Sequence, residues 1–429
     1  MAIRTLVVDD SIVFRKCVRD ALASVPGVEV IDIARDGTSA VEKIVRLHPD
    51  LITLDVEMPG LNGLEVLEEL GRRGLHANVL MLSSLTRRGA EVTTQALSLG
   101  ALDFILKPDS ASVQENLEVL RRELAKRVQV FQHRLGGGDE AHRAHPAPGT
   151  APIHRSGPII CSATARPAAP APSVKASGSA AAESGPAVRA SVSTTASSAP
   201  KAAPSGAHCE LIVIGISTGG PKALAHVIPQ IPASFPIPIV IVQHMPPLFT
   251  ATMASHLDAR SGLHVVEASD GLPLKPGQVV IAPGGQQMGL EAVRCGGIVA
   301  RITEAPAVKG CKPSVDYCLG SIDAKWASRT LAVIMTGMGD DGLDGCGKIC
   351  RHGGSVWAQS EATCTVYGMP RQVVDHGLTE SIFRLSDLPS WLTGLRSSGS
   401  EARRSRPSDG LVSFDGPAMT GTDWIGGVR

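Results

Sequence analysis

The chain has 429 residues, 43% of them apolar and only 3% aromatic, and its 41 basic side chains balance its 41 acidic ones. That length points to two domains plus connectors, and a neutral chain without a basic field or an acidic block argues against nucleic acid and against a charged interaction tail. No signal peptide precedes the first strand, and apolar runs of about eight residues fall well short of the roughly 20 that a spanning helix needs, so a cytoplasmic protein without membrane insertion is expected.

Five short β-rich runs come first: Ile3–Val8, Val28–Ile33, Leu51–Leu54, Val79–Leu82 and Phe104–Leu106. Between them apolar residues recur at helical spacing: Val13, Cys17, Ala21 and Val25; Val41, Ile44, Val45 and His48; Leu64, Leu67 and Leu70; Val92, Ala96 and Leu99. Five βα units of this size predict an open, doubly wound parallel sheet with helices on both faces. A further helix from about Ala111, with Leu117, Leu120, Leu124, Val128 and Phe131 on one face, is expected to run past the domain as a stalk.

The composition then changes. From Gly136 to about Ala207 Ala, Pro, Ser and Gly dominate and no hydrophobic period survives, which reads as a disordered linker. Strand and helix signals return after it, at Leu211–Ile216, Ile237–Val242, Val279–Ile281 and Leu331–Met335, and predict a second α/β domain. The divisions are therefore 1–125, 126–207 (stalk, then linker), 208–396, and a polar, Gly-rich tail over 397–429. The nine cysteines form no paired framework. Cys346, Cys350 and His352 lie close in sequence, but no second pair completes a metal-site spacing, so reduced thiols are expected.

Asp9 and Asp10 end the first strand and Asp55 the third, so a parallel sheet brings three carboxylates to one crevice. Mutual repulsion there is relieved by a cation, and hard oxygen donors suit Mg²⁺. Ser83 and Lys107 end the fourth and fifth strands. Acids, hydroxyl and amine together are what phosphorylation of a carboxylate requires, with Asp55 as acceptor. A lone Asp at a strand end is most often a turn or cap residue; four motifs in order at four strand ends are not explained that way. Val7-Val-Asp-Asp10, Leu54-Asp-Val-Glu-Met-Pro-Gly60, Met81-Leu-Ser-Ser84 and Phe104-Ile-Leu-Lys-Pro108 resemble a response-regulator receiver domain over about the first 125 residues. The resemblance implies a flavodoxin-like fold and Mg²⁺ held by Asp10, Asp55 and the backbone carbonyl of Glu57, with Asp9 beside them. It also implies Phe104 as a rotating aromatic switch beside Ser83 and Lys107, and a cis Lys107–Pro108 bond.

In the second domain Leu211-Ile-Val-Ile-Gly-Ile-Ser-Thr-Gly-Gly-Pro221 is an apolar strand that breaks at a serine and then at glycines. Gly215, Ser217 and Gly219 match Gly-x-Ser-x-Gly, the sharp turn that exposes a nucleophilic hydroxyl; a phosphate cradle reads similarly. A serine nucleophile needs a base and a group to orient it. His244 follows the next apolar strand, and Asp341 follows the strand Leu331–Met335 across a Gly-Met-Gly turn. Asp340 is its immediate rival, and both acids could instead cap the next helix. The order Ser217, His244, Asp341 departs from the Ser, acid, His order of α/β-hydrolases.

Order and motifs resemble the catalytic domain of the chemotaxis protein-glutamate methylesterases, the CheB family. The matching segments are Gly215-Ile-Ser-Thr-Gly-Gly-Pro221, Gln243-His-Met-Pro246, Ile281-Ala-Pro-Gly284, Pro313-Ser-Val-Asp316, Met335-Thr-Gly-Met-Gly-Asp-Asp-Gly342 and Tyr367-Gly-Met-Pro370. The resemblance implies a Rossmann-like three-layer α/β esterase with Ser217, His244 and Asp341 as its triad. Thr218 and Met338 then line the site, their N–H groups being candidates for oxyanion stabilisation. It further implies a phosphorylation-activated monomer that needs no cofactor for ester hydrolysis. Its substrates are methylated glutamates on chemoreceptor cytoplasmic domains, certain receptor glutamines are deamidated too, and a chemotaxis histidine kinase is the phosphodonor. Two departures stand out: Gln287 where the family often has histidine, and a linker much longer than the usual hinge. A non-catalytic binding module and an esterase for other substrates are the rival readings.

Overall fold

The computed structural model describes residues 2–136 and 209–395, apart from His76 and Cys295. The expected linker beyond Gly136 and the tail from 397 lie outside the described residues.

The N-terminal domain runs β1 (Ile3–Val8), α1 (Ile12–Ala23), β2 (Val28–Ala34), α2 (Gly37–Leu47), β3 (Leu51–Asp55), α3 (Gly63–Arg72), β4 (Asn78–Ser83), α4 (Arg87–Leu99), β5 (Asp103–Leu106) and α5 (Val113–Gly136). Its five strands are parallel in the order β2-β1-β3-β4-β5, so the strand order reverses between β1 and β3, where ligands bind in such sheets. All five residues of β3 are buried, as befits a central strand covered on both faces. Asn62 caps α3 and receives Glu65 in return, closing a capping box. Leu120, Leu124 and Val128 of α5 pack into the core beside Ile3, Val7 and Leu22, so that much of the helix covers the sheet instead of standing clear of it. The Lys107–Pro108 bond is trans, correcting the expectation drawn from the resemblance; among the described residues the cis peptide is Lys312–Pro313. Trans is the intrinsically favoured isomer of an X–Pro bond, and nothing in this loop overrides that preference.

The second domain runs β6 (Leu211–Ile216), α6 (Gly220–Val227), β7 (Ile239–Gln243), α7 (Phe249–Asp258), β8 (His264–Glu267), β9 (Gln278–Ile281), β10 (Gln287–Ala292), β11 (Ile298–Thr303), α8 (Val315–Ser321), α9 (Ala324–Ala327), β12 (Thr330–Ile334), α10 (Leu343–Arg351), β13 (Ser355–Gln359), α11 (Met369–Asp375), β14 (Ser381–Phe383) and α12 (Leu388–Thr393). Seven strands form a parallel sheet in the order β14-β13-β12-β6-β7-β9-β8, while β10 and β11 make a separate antiparallel hairpin. Every residue of β6, β7 and β12 is buried. Each fully buried Val, Leu or Ile contributes about 1.5–3 kcal/mol, so these central strands are the stiffest part of the domain. The chain leaves β6 in one direction for β7 and returns to its other side with β12, which puts the reversal point at the C-terminal end of β6.

The two domains cluster as one compact unit. Helix α4 of the first packs on α6 and α7 of the second, and a single apolar core runs through both. Among the described residues no helix is long and apolar enough to cross a membrane.

Candidate active site

Two neighbouring strands of the second sheet end at polar side chains, and the loop after a third, β12, brings another to them. Ser217 follows β6, and its N–H donates to the Thr336 carbonyl at 2.9 Å, tying it to the strand end of β12. His244 follows β7, and its N–H donates to the Ile216 carbonyl at 3.1 Å. Ile216 and Gln243 are partners in the parallel ladder, so Ser217 and His244 are the next pair along. Beyond the serine Gly219 takes φ +80°, a left-handed conformation suited to glycine, and starts α6. Gly337 backs the turn: a Cβ there would lie 2.8 Å from the Ser217 Cβ, so only glycine leaves the serine its place.

Position separates the two candidate acids. Asp341 is 3% exposed and its Oδ2 lies 2.7 Å from His244 Nε2. The Asp340 side chain is half exposed and pairs with the Lys309 ammonium at 3.2 Å. Asp341 is held from every side. Oδ2 accepts the Val315 N–H at 2.7 Å, and Oδ1 accepts the Ser314 hydroxyl at 2.8 Å and the Asp316 N–H at 3.0 Å. Burial alone would favour its neutral form, but His244 and these amide donors outweigh burial and hold the carboxyl below its usual range. For His244 burial opposes the charged ring, yet the bond to Asp341 and then the contact with Cys311 prevail and raise it to about 9.

The structure brings His244 and Asp341 together directly. Among the described residues no hydrogen bond joins the Ser217 hydroxyl to His244; the atom that meets His244 Nδ1 is Cys311 Sγ, at 3.7 Å. Catalytic hydrogen bonds are often open in substrate-free enzymes. Cys311 carried no signal in the sequence, because it lies in the loop before α8, where no periodicity marks it. Gln287 is buried beneath that loop. Its amide donates to the Pro306 and Cys311 carbonyls, both at 3.1 Å, and accepts the Ser314 N–H at 2.9 Å. Its departure from the family pattern therefore falls on a loop support.

Thr218 and Met338 flank the site, and each faces something besides it. The Thr218 carbonyl accepts the Thr336 hydroxyl at 2.9 Å, while its own hydroxyl donates to Asp103 Oδ2 of the first domain at 2.8 Å. Met338 is half-buried on the turn after β12. Next to the Thr218–Asp103 bond, Phe104 stacks on Phe249 with centroids 4.6 Å apart, and the Ser98 hydroxyl meets His256 Nε2 at 3.1 Å.

At the first domain's own crevice Asp9, Asp10 and Asp55 each offer an oxygen within 4.8 Å of the others. Lys107 Nζ bridges Asp9 at 2.9 Å and Asp55 at 2.6 Å. Burial, only partly offset by Lys107, pushes the Asp55 carboxyl up to about 6, and Asp9 is raised for the same reason. Asp9 Oδ2 is buried against the Lys107 ammonium at 2.9 Å. Crowded, under-compensated oxygen donors of this kind fit a hard divalent cation such as Mg²⁺. The Glu57 N–H donates to Asp55 Oδ1 at 3.4 Å, which brings that backbone to the same crevice. Ser83 is fully buried and turned toward α4, accepting the Thr93 hydroxyl at 2.8 Å and contacting the Gly89 carbonyl at 3.4 Å.

Known proteins match both halves. The response regulator receiver domain family matches residues 5–118, and the CheB methylesterase family matches residues 212–392. A protein-glutamate methylesterase/protein-glutamine glutaminase from Desulfotalea psychrophila is 40% identical over 390 residues, 90% of this chain and 96% of that protein. Another so named, from Alkalilimnicola ehrlichii, is 41% identical over 404 residues, 92% of this chain and 100% of that protein. The crystal structure of the Thermotoga maritima CheB methylesterase catalytic domain is 42% identical, covers 43% of this chain and 97% of that one, and superposes with a TM-score of 0.42. The chain belongs to the CheB methylesterase family, with a response regulator receiver domain ahead of its esterase domain.

Proposed function

We propose that this chain hydrolyses glutamate methyl esters on the cytoplasmic segments of chemoreceptors, deamidates particular receptor glutamines at the same site, and is released for that work when a histidine kinase phosphorylates Asp55. The observation that carries the reading is the His244–Asp341 pair at 2.7 Å, its acid buried, beside Ser217.

Ser217 attacks the ester carbonyl. In the neutral ring Asp341 engages Nε2, which leaves Nδ1 of His244 with its lone pair to take the serine proton. Asp341 also stabilises the imidazolium that forms. The proton is then given to the departing methanol, and water, deprotonated in turn by His244, clears the acyl-enzyme. Backbone N–H groups of Thr218 and Met338 are the candidate donors to the tetrahedral oxyanion. An amide passes through the same oxyanion, with ammonia leaving in place of methanol.

The receiver contact supports the regulatory half. Thr218, next to the nucleophile, is hydrogen-bonded to Asp103, and Phe104 is stacked on Phe249. Docked this way, the receiver crowds the substrate's approach. Mg²⁺, when bound by Asp10, Asp55 and the Glu57 backbone with Asp9 beside them, neutralises the incoming phosphoryl charge. Lys107 supplies a second positive charge, and Ser83 must turn from Thr93 toward the phosphoryl group to donate to it. Its hydroxyl thereby leaves α4, one of the helices packed on the esterase domain.

The test is methanol release from methylated receptor fragments by wild type, Ser217→Ala and Asp55→Asn, with and without a small-molecule phosphodonor. Release is expected to vanish in Ser217→Ala and to rise with phosphodonor only where Asp55 is present. No release by wild type under any condition would overturn the assignment.

A further inference from the structure

Histidine 244 has two ring nitrogens, and only one is committed to Asp341. That carboxylate already takes four donors, counting Nε2, so in the neutral ring the proton sits on Nε2 and the Nδ1 lone pair is the one exposed. Nδ1 faces Cys311 Sγ at 3.7 Å. Both side chains are half-buried at the rim, within reach of solutes. His244, Cys311 and Asp341 bring a nitrogen, a sulfur and an oxygen within 4.8 Å of one another.

The spacing is informative. Tetrahedral Zn²⁺ binds thiolate at about 2.3 Å and imidazole at about 2.0–2.1 Å, which sets two such ligands about 3.5–3.6 Å apart. The observed separation of 3.7 Å needs almost no adjustment. Asp341 stands where a carboxylate stands behind a ligating histidine, on the other ring nitrogen, fixing its tautomer. The backbone that carries the thiol is held as well. The Cys311 N–H donates to Val308 at 2.8 Å, and its carbonyl accepts from Val308 and from Gln287, both at 3.1 Å. The two atoms thus stand near ligand spacing on a held backbone.

We propose that His244 Nδ1 and Cys311 Sγ form a Zn²⁺ site that switches the esterase off. Binding exchanges the thiol proton, released to solvent, for a Zn–S bond. It also occupies the lone pair that Ser217 needs for its proton, so in its consequence for catalysis the proposal rests on the function proposed above. The binding itself does not.

Two readouts on the full-length chain test it. Co²⁺ added to the wild-type protein should give a thiolate-to-cobalt charge-transfer band at one equivalent, lost in Cys311→Ser and kept in Cys364→Ser. Competition against a chromophoric zinc chelator should show Cys311→Ser weaker by at least the roughly 10–100-fold that loss of a supporting partner costs at metal sites. Methanol release, scaled to each variant's own metal-free rate, should fall with Zn²⁺ in wild type, recover with EDTA, and resist the same free Zn²⁺ in Cys311→Ser. A band that persists in Cys311→Ser, no band at all, or equal inhibition of both proteins would overturn the site. Should wild type release no methanol, the cobalt and competition measurements still decide the metal site, and the failure belongs to the esterase assignment.

Discussion

Phe104, on the receiver's last strand, lies flat against Phe249, the first residue of α7, with 11° between the rings. One ring is the proposed receiver switch and the other belongs to a helix beginning five residues after the proposed base. An aromatic pair contributes about 0.5–1.5 kcal/mol beyond its buried area. Phe249→Leu is therefore expected to raise methanol release without phosphodonor by about 2–10-fold and to shrink the response to phosphodonor in proportion. Phe104→Leu combined with it should add little, because both changes remove one contact. Full additivity of the two variants would show that the stack does not couple the domains.

Asp103 accepts the Thr218 hydroxyl at 2.8 Å and has Arg127 of α5 3.4 Å away. Replacing it by Ala leaves Thr218 without its receiver partner at a cost of about 0.5–1.5 kcal/mol to docking. The expected result is higher basal release with an unchanged rate of Asp55 phosphorylation, followed by radiolabelled phosphodonor. Basal release equal to wild type would remove this bond from the account of autoinhibition.

Asp341→Asn keeps the shape of the acid but presents a donor where His244 Nε2–H needs an acceptor. By the behaviour of Ser-His-Asp enzymes, kcat should fall by about 10⁴ while circular dichroism stays native if Asp341 acts as the proposed acid. Loss smaller than about tenfold would mean the His244 tautomer is set by something else.

Lys309 sits at φ +50° with its ammonium 2.9 Å from Asp316, 3.2 Å from Asp340 and 2.9 Å from Asp344. Asp316 is 8% exposed, and its N–H is one of the donors to Asp341. Lys309→Met strips the cation from that buried carboxylate, at a cost of roughly 1–3 kcal/mol. Thermal unfolding should come several degrees earlier, and kcat should fall more than KM rises, with Lys309→Arg restoring part of both.

Docking should also weaken in acid. Burial first, and then the Arg260 charge, lower the His256 pKa from its ordinary 6.5. A lowered histidine favours its neutral form in the docked state, so its contribution is complete above pH 6.5 and is lost as pH falls through the lowered value. Amide exchange of α4, corrected for the intrinsic pH dependence, should accelerate below that point in wild type and stay flat in His256→Gln.

Much of this was legible in the amino-acid order. The five receiver strands announced themselves because each is a short apolar run between helices of clear period. Ser217 and His244 were legible for a related reason: the apolar runs of β6 and β7 give out at or just before them, at the carboxyl edge of a parallel sheet. The strands β8, β13 and β14 were not, being three to five residues long and partly polar. The hairpin of β10 and β11 lies outside the main sheet and leaves no alternation long enough to separate it from loop. Cys311, Asp103 and Phe249 depend on which surfaces meet in three dimensions, and no local pattern encodes that. The choice between Asp340 and Asp341 likewise waited on burial.

Serine and histidine stand at the ends of β6 and β7, adjacent strands without an exposed residue. Their lateral spacing is thus metered by a backbone ladder of about 4.8 Å per strand, whereas Asp341 reaches His244 from the loop between β12 and α10, held there by the Ser314, Val315 and Asp316 donors. A ruler of this kind does not soften gradually. On warming, the spacing of serine and histidine should persist until the sheet itself melts, so activity lost below that temperature would trace to the loop that carries the acid.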